Sequence, residues 1–196
     1  MHFGDGSGLP RADSDLFQNG GSIYWTPDTG AHEVHGAIHA KWSALGWERS
    51  PLGYPLIDES PCADGIGRHG HFQNGSIYWT PSNGAFEVHG AIFAEWAAMS
   101  WEQGVLGYPI TDEQGALDGV GRYGHFQGGS IYWSPETGAH EVQGDIHARW
   151  ASLGYERSTL GYPISDEYDA PGGRRSDFQH GSLVWDAQTR VVTVLP

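Results

Sequence analysis

The chain has 196 residues, 38% hydrophobic, 13% aromatic and 17% charged, and 24 acidic against 10 basic side chains give a formal net charge of −14. Such an acidic chain repels nucleic-acid phosphates and anionic lipid, so both are set aside as partners. A single cysteine, Cys62, excludes an intrachain disulfide, and no apolar run approaches the roughly 20 residues that span a bilayer.

Nine Trp, nine Tyr, 30 Gly and 11 Pro predict short elements joined by many turns, a mainly β fold with short helices. Residues 1–15 read as an N-terminal extension. They lack the charged and apolar regions of a signal peptide, so a secreted form is expected here as a trimmed chain. The eleven histidines titrate near pH 6 and reduce the net charge there.

From Leu16, LFQNGGSIYW predicts a β-hairpin, with Gly20-Gly21 as a bulge or looser turn. TPDTG is a second turn and AHEVH a third strand. GAIHAKWSALG, from Gly36, places Ile38, Trp42 and Leu45 on one face of a short helix that Gly46 ends. WERSPLGYP is irregular, and Pro55 holds Tyr54 out of helical space. Asp58-Glu59 follow, and the stretch from Asp64 to Arg68 turns into the next hairpin.

The second copy begins the same way. HFQNGSIYW, from His71, predicts a tight turn at Asn74-Gly75. Ile77 and Trp79 then share one strand face, and Ser76 and Tyr78 the other. Its helix has Ser100 where the other copies have Gly46 and Gly154, which predicts a different exit. The third connector, DEYDAPGGRRSDF, lacks the Asp-Gly before its arginines.

The period is the dominant feature. LGYPLIDE, LGYPITDE and LGYPISDE start at Leu52, Leu106 and Leu160. The tyrosines Tyr54, Tyr108 and Tyr162 and the tryptophans Trp42, Trp96 and Trp150 recur at intervals of 54 residues. Four hairpin segments and three connectors result, in units of about 16–51, 52–105, 106–159 and 160–196, read together as one repeat domain over 16–196. One such unit is too small to bury a core alone, so neighbours must complete it, in a stalk or a closed array.

These motifs occur in one order over nearly the whole chain: LGYP-x-x-DE, DG-x-GR, F-x-x-G-S-I-Y-W-x-P-x-x-G-A, then G-x-I-x-x-x-W. The composite resembles the LGFP-repeat family, with Tyr in place of the name-giving Phe. The resemblance implies a small, mostly β unit of about four strands repeated as a stalk or array. It implies a secreted, cell-envelope setting of the actinobacterial type, often as an appendage to mycolyltransferases or cell-wall hydrolases. The expected partner is cell-wall polysaccharide of the peptidoglycan–arabinogalactan layer, or another glycan. Fusion to a catalytic domain in a longer chain is open. The family offers no catalytic residue to carry over.

Candidate binding groups are the repeated aromatics and connector charges. Trp and Tyr stack on sugar rings while their polar tips hydrogen-bond. Trp25, Trp79, Trp133 and the helix tryptophans are expected in the core. Tyr24, Tyr78 and Tyr132 point opposite to the neighbouring Trp, so either face is a candidate for exposure. Trp47, Trp101 and Tyr155 lie in the loop before LGYP and are expected at the surface. Asp58, Asp112 and Asp166 either contact a sugar hydroxyl or, with Arg68 and Arg122, pin the connector. Adjacent residues on a strand diverge, so Asp-Glu does not read as a paired acid/base site.

His32, His35 and His39 lie close in sequence, but strand alternation and the Phe86 and Phe93 replacements in copy two favour packing over metal ligation. No nucleophile elbow or phosphate loop is present. The expectation is a non-catalytic, multivalent glycan-binding module with no cofactor. A free-standing lectin and a structural or protein-interaction scaffold are the alternatives.

Overall fold

The computed structural model describes residues 15–16 and 21–196. The predicted extension, apart from Asp15, and the Gly20-Gly21 turn, apart from Gly21, lie outside the described residues. The chain divides into two compact units, residues 1–87 and 88–196.

The elements run in repeating order. The first unit begins with β1 (Asp15–Leu16), β2 (Ser22–Thr26) and β3 (Gly30–Val34), then α1 (Gly36–Leu45). A second sheet follows, of β4 (Ser60–Pro61), β5 (Arg68–Phe72), β6 (Gly75–Thr80) and β7 (Gly84–His89), the division between units falling within β7. The second unit holds α2 (Gly90–Ala98), then β8 (Gln114–Gly115), β9 (Arg122–His125), β10 (Gly129–Ser134) and β11 (Gly138–Gln143). It ends with α3 (Gly144–Leu153), β12 (Tyr168–Ala170), β13 (Gly173–Phe178), β14 (Gly181–Asp186) and β15 (Val192–Leu195). The paired strands are antiparallel meanders in sequence order, giving one three-stranded and three four-stranded sheets among the described residues. The expected mainly β repeat with short helices is therefore the observed architecture.

Each core forms because a helix is covered by sheets. In the first unit Ile38 and Trp42 of α1 pack with Tyr24 and Val34 of the sheet before and Phe72 and Ile77 of the sheet after. In the second, Ile146 and Trp150 of α3 pack between Tyr132 and Val142 on one side and Phe178 and Leu183 on the other. Trp42, Trp96 and Trp150 are fully buried, as their helical spacing predicts. Burial of such a side chain contributes about 2–3 kcal/mol, so the helix face supplies much of each unit's stability.

Two sequence expectations change. The second hairpin turns at Gln73-Asn74, not Asn74-Gly75, because Phe72 pairs with Gly75. The LGYP segment accounts for the shift, since Tyr54 O and Leu52 O accept the Gln73 and Asn74 amides, each at 3.0 Å. Second, Trp25 is 50% exposed, and Trp79 and Trp133 are half-buried. They do share a face with Ile77 or its equivalents, but they sit next to the strand ends, paired with Ala31, Arg68 and Arg122. From there Trp79 still packs at the edge of the first core, whereas Trp25 lies on the face opposite Tyr24, which is the face that α1 covers.

All three helices lead into a left-handed residue, but α2 stops one residue sooner than the others, at Ala98, with Met99 as its cap. Ser100 adopts the left-handed conformation, φ 71°, that Gly46 and Gly154 adopt at 104° and 105°. A serine there carries a steric cost that glycine does not.

Candidate functional site

LGYP forms the joint. Leu52, Leu106 and Leu160 are buried. Gln73, Gln127 and Gln179 accept the backbone N–H of Tyr54, Tyr108 and Tyr162 through Oε1 at 2.9, 3.1 and 2.9 Å. The glycine before each tyrosine lets that amide oxygen approach: at Gly161, with φ 73°, a Cβ would lie 2.6 Å from Gln179 Oε1. In the second unit, Tyr162 reaches back to the Asp118–Arg122 turn. Its hydroxyl donates to Asp118 at 2.8 Å and accepts the Gly121 amide at 3.1 Å. The glutamines were not singled out in the sequence, although Phe-Gln recurs in every hairpin and is their signal.

The connector acids serve the same joint. Asp58 accepts the Glu33 amide at 3.1 Å and lies 3.3 Å from His32 Nδ1. Asp166 does so with Glu141 at 3.2 Å and His140 at 3.1 Å. The neighbouring glutamates diverge, as expected. Glu59 takes Arg68 Nε at 2.5 Å, Glu113 takes Arg122 Nε, and Glu167 takes Arg174 Nε at 2.8 Å. Arg174 fills the role in the connector that lacks Asp-Gly. Asp112 occupies the same position in the second connector, half-buried. As candidate ligand groups, then, Asp58, Asp166, Arg68 and Arg122 are engaged within the fold, because the connector's own backbone and carboxylates need those partners.

Electrostatics at this joint are strained in the third copy. Glu141 is 2% exposed and its Oε2 is buried without a partner, while Oε1 accepts the Glu167 amide at 3.0 Å. Burial pushes its carboxyl up to about 7. The Asp166 hydrogen bond holds His140 above the usual histidine range, and His140 in turn holds Asp166 low. Burial raises Glu95, with Asp166 adding to the effect.

The histidine cluster of copy one disperses: His32 goes to Asp58, His35 lies 3.5 Å from Glu59, and His39 Nε2 lies 3.1 Å from Ser22 Oγ. Among the described residues, no group of three or more His, Cys, Asp or Glu side chains is arranged to hold a metal.

The aromatics assemble differently from expectation. Tyr24, Tyr78 and Tyr132 are 8%, 3% and 2% exposed. Their rings are core, Tyr24 packing with α1 in the first unit and Tyr132 with α3 in the second, so none presents a ring face to a ligand. Tyr24 meets Trp42 edge-on at 4.5 Å, and Tyr132 meets Trp150 at 4.6 Å. Two of the loop aromatics converge on these tyrosines. Trp47 lies 6.0 Å from Tyr24 and Tyr155 stacks on Tyr132 at 5.8 Å and 20°. Trp47 and Tyr155 are half-buried, and Trp101 is 37% exposed.

All three of these loop aromatics are left-handed, with φ of 59° for Trp47, 51° for Trp101 and 55° for Tyr155. Each costs about 1–2 kcal/mol relative to an unstrained backbone. Glycine would remove that cost.

The third copy carries the richest cluster. Tyr123 stacks on Tyr132 at 5.0 Å and 13°, and His125 and His147 lie 6.0 and 5.8 Å from Tyr155. Ser130 Oγ is 2.5 Å from His125 Nδ1 and 2.8 Å from His147 Nε2. One hydroxyl proton serves only one of these nitrogens, so the other ring donates its own N–H. Burial lowers both rings, His147 to about 4, so both are neutral at pH 7. The carboxylate of Glu156, 8% exposed, borders the cluster and accepts the Leu117 amide at 3.0 Å. Of this set the sequence pointed to Tyr132 and Tyr155, while Tyr123, His125 and Glu156 were missed.

No curated protein matches the chain. The family model for the LGFP repeat matches four tandem segments, residues 11–50, 52–104, 106–158 and 160–195, which coincide with the hairpin-and-connector period described above. The chain belongs to the LGFP repeat family.

Proposed function

We propose that this chain is a non-catalytic glycan-binding repeat module that acts as a multivalent anchor at a cell wall. The observation that supports it is the strained aromatic in front of each LGYP. Trp47, Trp101 and Tyr155 hold positive φ where glycine would be relaxed. Backbone strain kept at one position in three copies points to a requirement for the ring itself. Each ring is at least partly accessible, a geometry suited to stacking on a sugar. Weak sites repeated along one chain gain retention through linkage, with single-site affinity near about 1 mM. The family's cell-envelope setting supports secretion and a polysaccharide partner. The proposal also holds that the module itself performs no reaction, since the LGYP acids are committed to structural pairs.

Purified protein should co-sediment with insoluble cell-wall polysaccharide, and soluble fragments should perturb the NMR signals of Trp47, Trp101 and Tyr155. Failure of both would remove the reading. It would favour a spacer or protein-interaction scaffold, the alternative that the purely structural use of LGYP supports.

A further inference from the structure

We infer that the Tyr132 cluster of the third copy is a sugar subsite that reads the hydroxyl groups of an uncharged glycan, an inference that rests on the glycan-binding proposal above. Tyr132 is 2% exposed, and its hydroxyl, which makes no hydrogen bond within the protein among the described residues, keeps a small contact with solvent. A sugar hydroxyl placed at that contact gives the Tyr132 hydroxyl a hydrogen-bond partner in largely dry surroundings. Burial also keeps this phenol well above its ordinary range, so it stays protonated and is both donor and acceptor.

The surroundings set the class of ligand. Half-buried Tyr123 and Tyr155 flank the Tyr132 ring, offering apolar surface for the C–H face of a sugar. The charged neighbour acting on Tyr132 and Tyr155 is Glu156, and Asp118 acts with it on Tyr162. Carboxylates accept hydrogen bonds from sugar hydroxyls and repel uronate or phosphate groups. His125 and His147 are held neutral by burial and spend one nitrogen each on Ser130, so they add no positive charge at pH 7. The first copy offers an indole, Trp47, against Tyr24, and Glu48 there is 32% exposed beside Arg49. That copy is suited to stacking, whereas the third is suited to hydroxyl recognition.

The test uses the full chain and two probes of equal length, a neutral arabinogalactan oligosaccharide and an oligogalacturonate. Titrations followed by NMR compare the unmodified protein with Tyr132→Phe, which keeps the ring and removes the hydroxyl, and with Tyr155→Ala. The neutral probe should shift the signals of Tyr123, His147 and Tyr155. Tyr132→Phe should weaken binding at these signals about tenfold, and the uronate should leave them unmoved. If neither probe binds, the glycan-binding proposal itself fails. If the neutral probe binds but shifts other residues, or binds Tyr132→Phe as tightly as before, the subsite is wrong and the broader proposal stands. If the uronate binds as well as the neutral sugar, the uncharged class is wrong. Should Tyr155→Ala not fold, Tyr132→Phe alone still decides.

Discussion

Glu141→Gln gives the sharpest test of the third joint. Glu141 is 2% exposed and has an orphaned Oε2, and burial raises its carboxyl from 4.5 to about 7. A raised carboxyl binds its proton more tightly in the folded chain. Its contribution to stability is therefore complete below pH 4.5 and is lost as pH rises through about 7. At about 1.4 kcal/mol per pH unit, the loss by pH 8 is on the order of 3 kcal/mol, an upper figure. Glutamine keeps an oxygen for the Glu167 amide and carries no charge at any pH. The variant should match the parent near pH 5 and exceed it by about 2–3 kcal/mol at pH 8. Urea unfolding at both pH values, with slopes compared, measures this. An equal difference between variant and parent at pH 5 and pH 8 would refute the reasoning, because a pH-independent effect has no link to Glu141 ionisation.

Other outcomes follow from the same geometry. His147 is held neutral with its titration near 4, so its stabilising effect is lost as pH falls from 6.5 through about 4. His147→Phe, the residue that copy two carries as Phe93, should flatten the fall in melting temperature over that window, and a parallel decline would exclude His147 as its source. Gly161→Ala places a Cβ against Gln179 and adds left-handed strain, and should cost about 2–3 kcal/mol in chemical unfolding. An unchanged midpoint would mean that the Gln179 bond is dispensable. Tyr155→Gly and Tyr155→Ala remove the same ring, but only alanine keeps the φ 55° strain. The glycine variant should be more stable by about 1 kcal/mol, and a reversed order would argue against strain at this residue. Leu160→Ala should cost about 2–5 kcal/mol, and a melting temperature equal to the parent's would contradict the burial of Leu160 at the joint.

The period, the helices and the third strands were legible because they depend on local signals: apolar spacing, proline and glycine placement, and exact recurrence. Ile38 and Trp42 one turn apart suffice to place a buried helix face. The fourth, short strands β4, β8 and β12 were not legible, because two or three residues such as Ser60-Pro61 carry no pattern and exist only through pairing with the next strand. The Gln73, Gln127 and Gln179 bonds were equally hidden, since their partners lie 17 or 19 residues away.

Alternation along β6 and β10 correctly separates Ile77 from Tyr78 and Ile131 from Tyr132. Alternation alone does not say whether the second face meets solvent or another helix. Sequence by itself determined the repeat, its element types and the architectural part played by LGYP, all of which are set by short-range sterics and hydrophobic period. Tertiary structure decided that the tyrosines are buried and that Asp58 and Arg68 serve the joint. It also decided that Tyr155 converges on Tyr132. These depend on which faces distant segments cover, and that is a property of packing between sheet and helix.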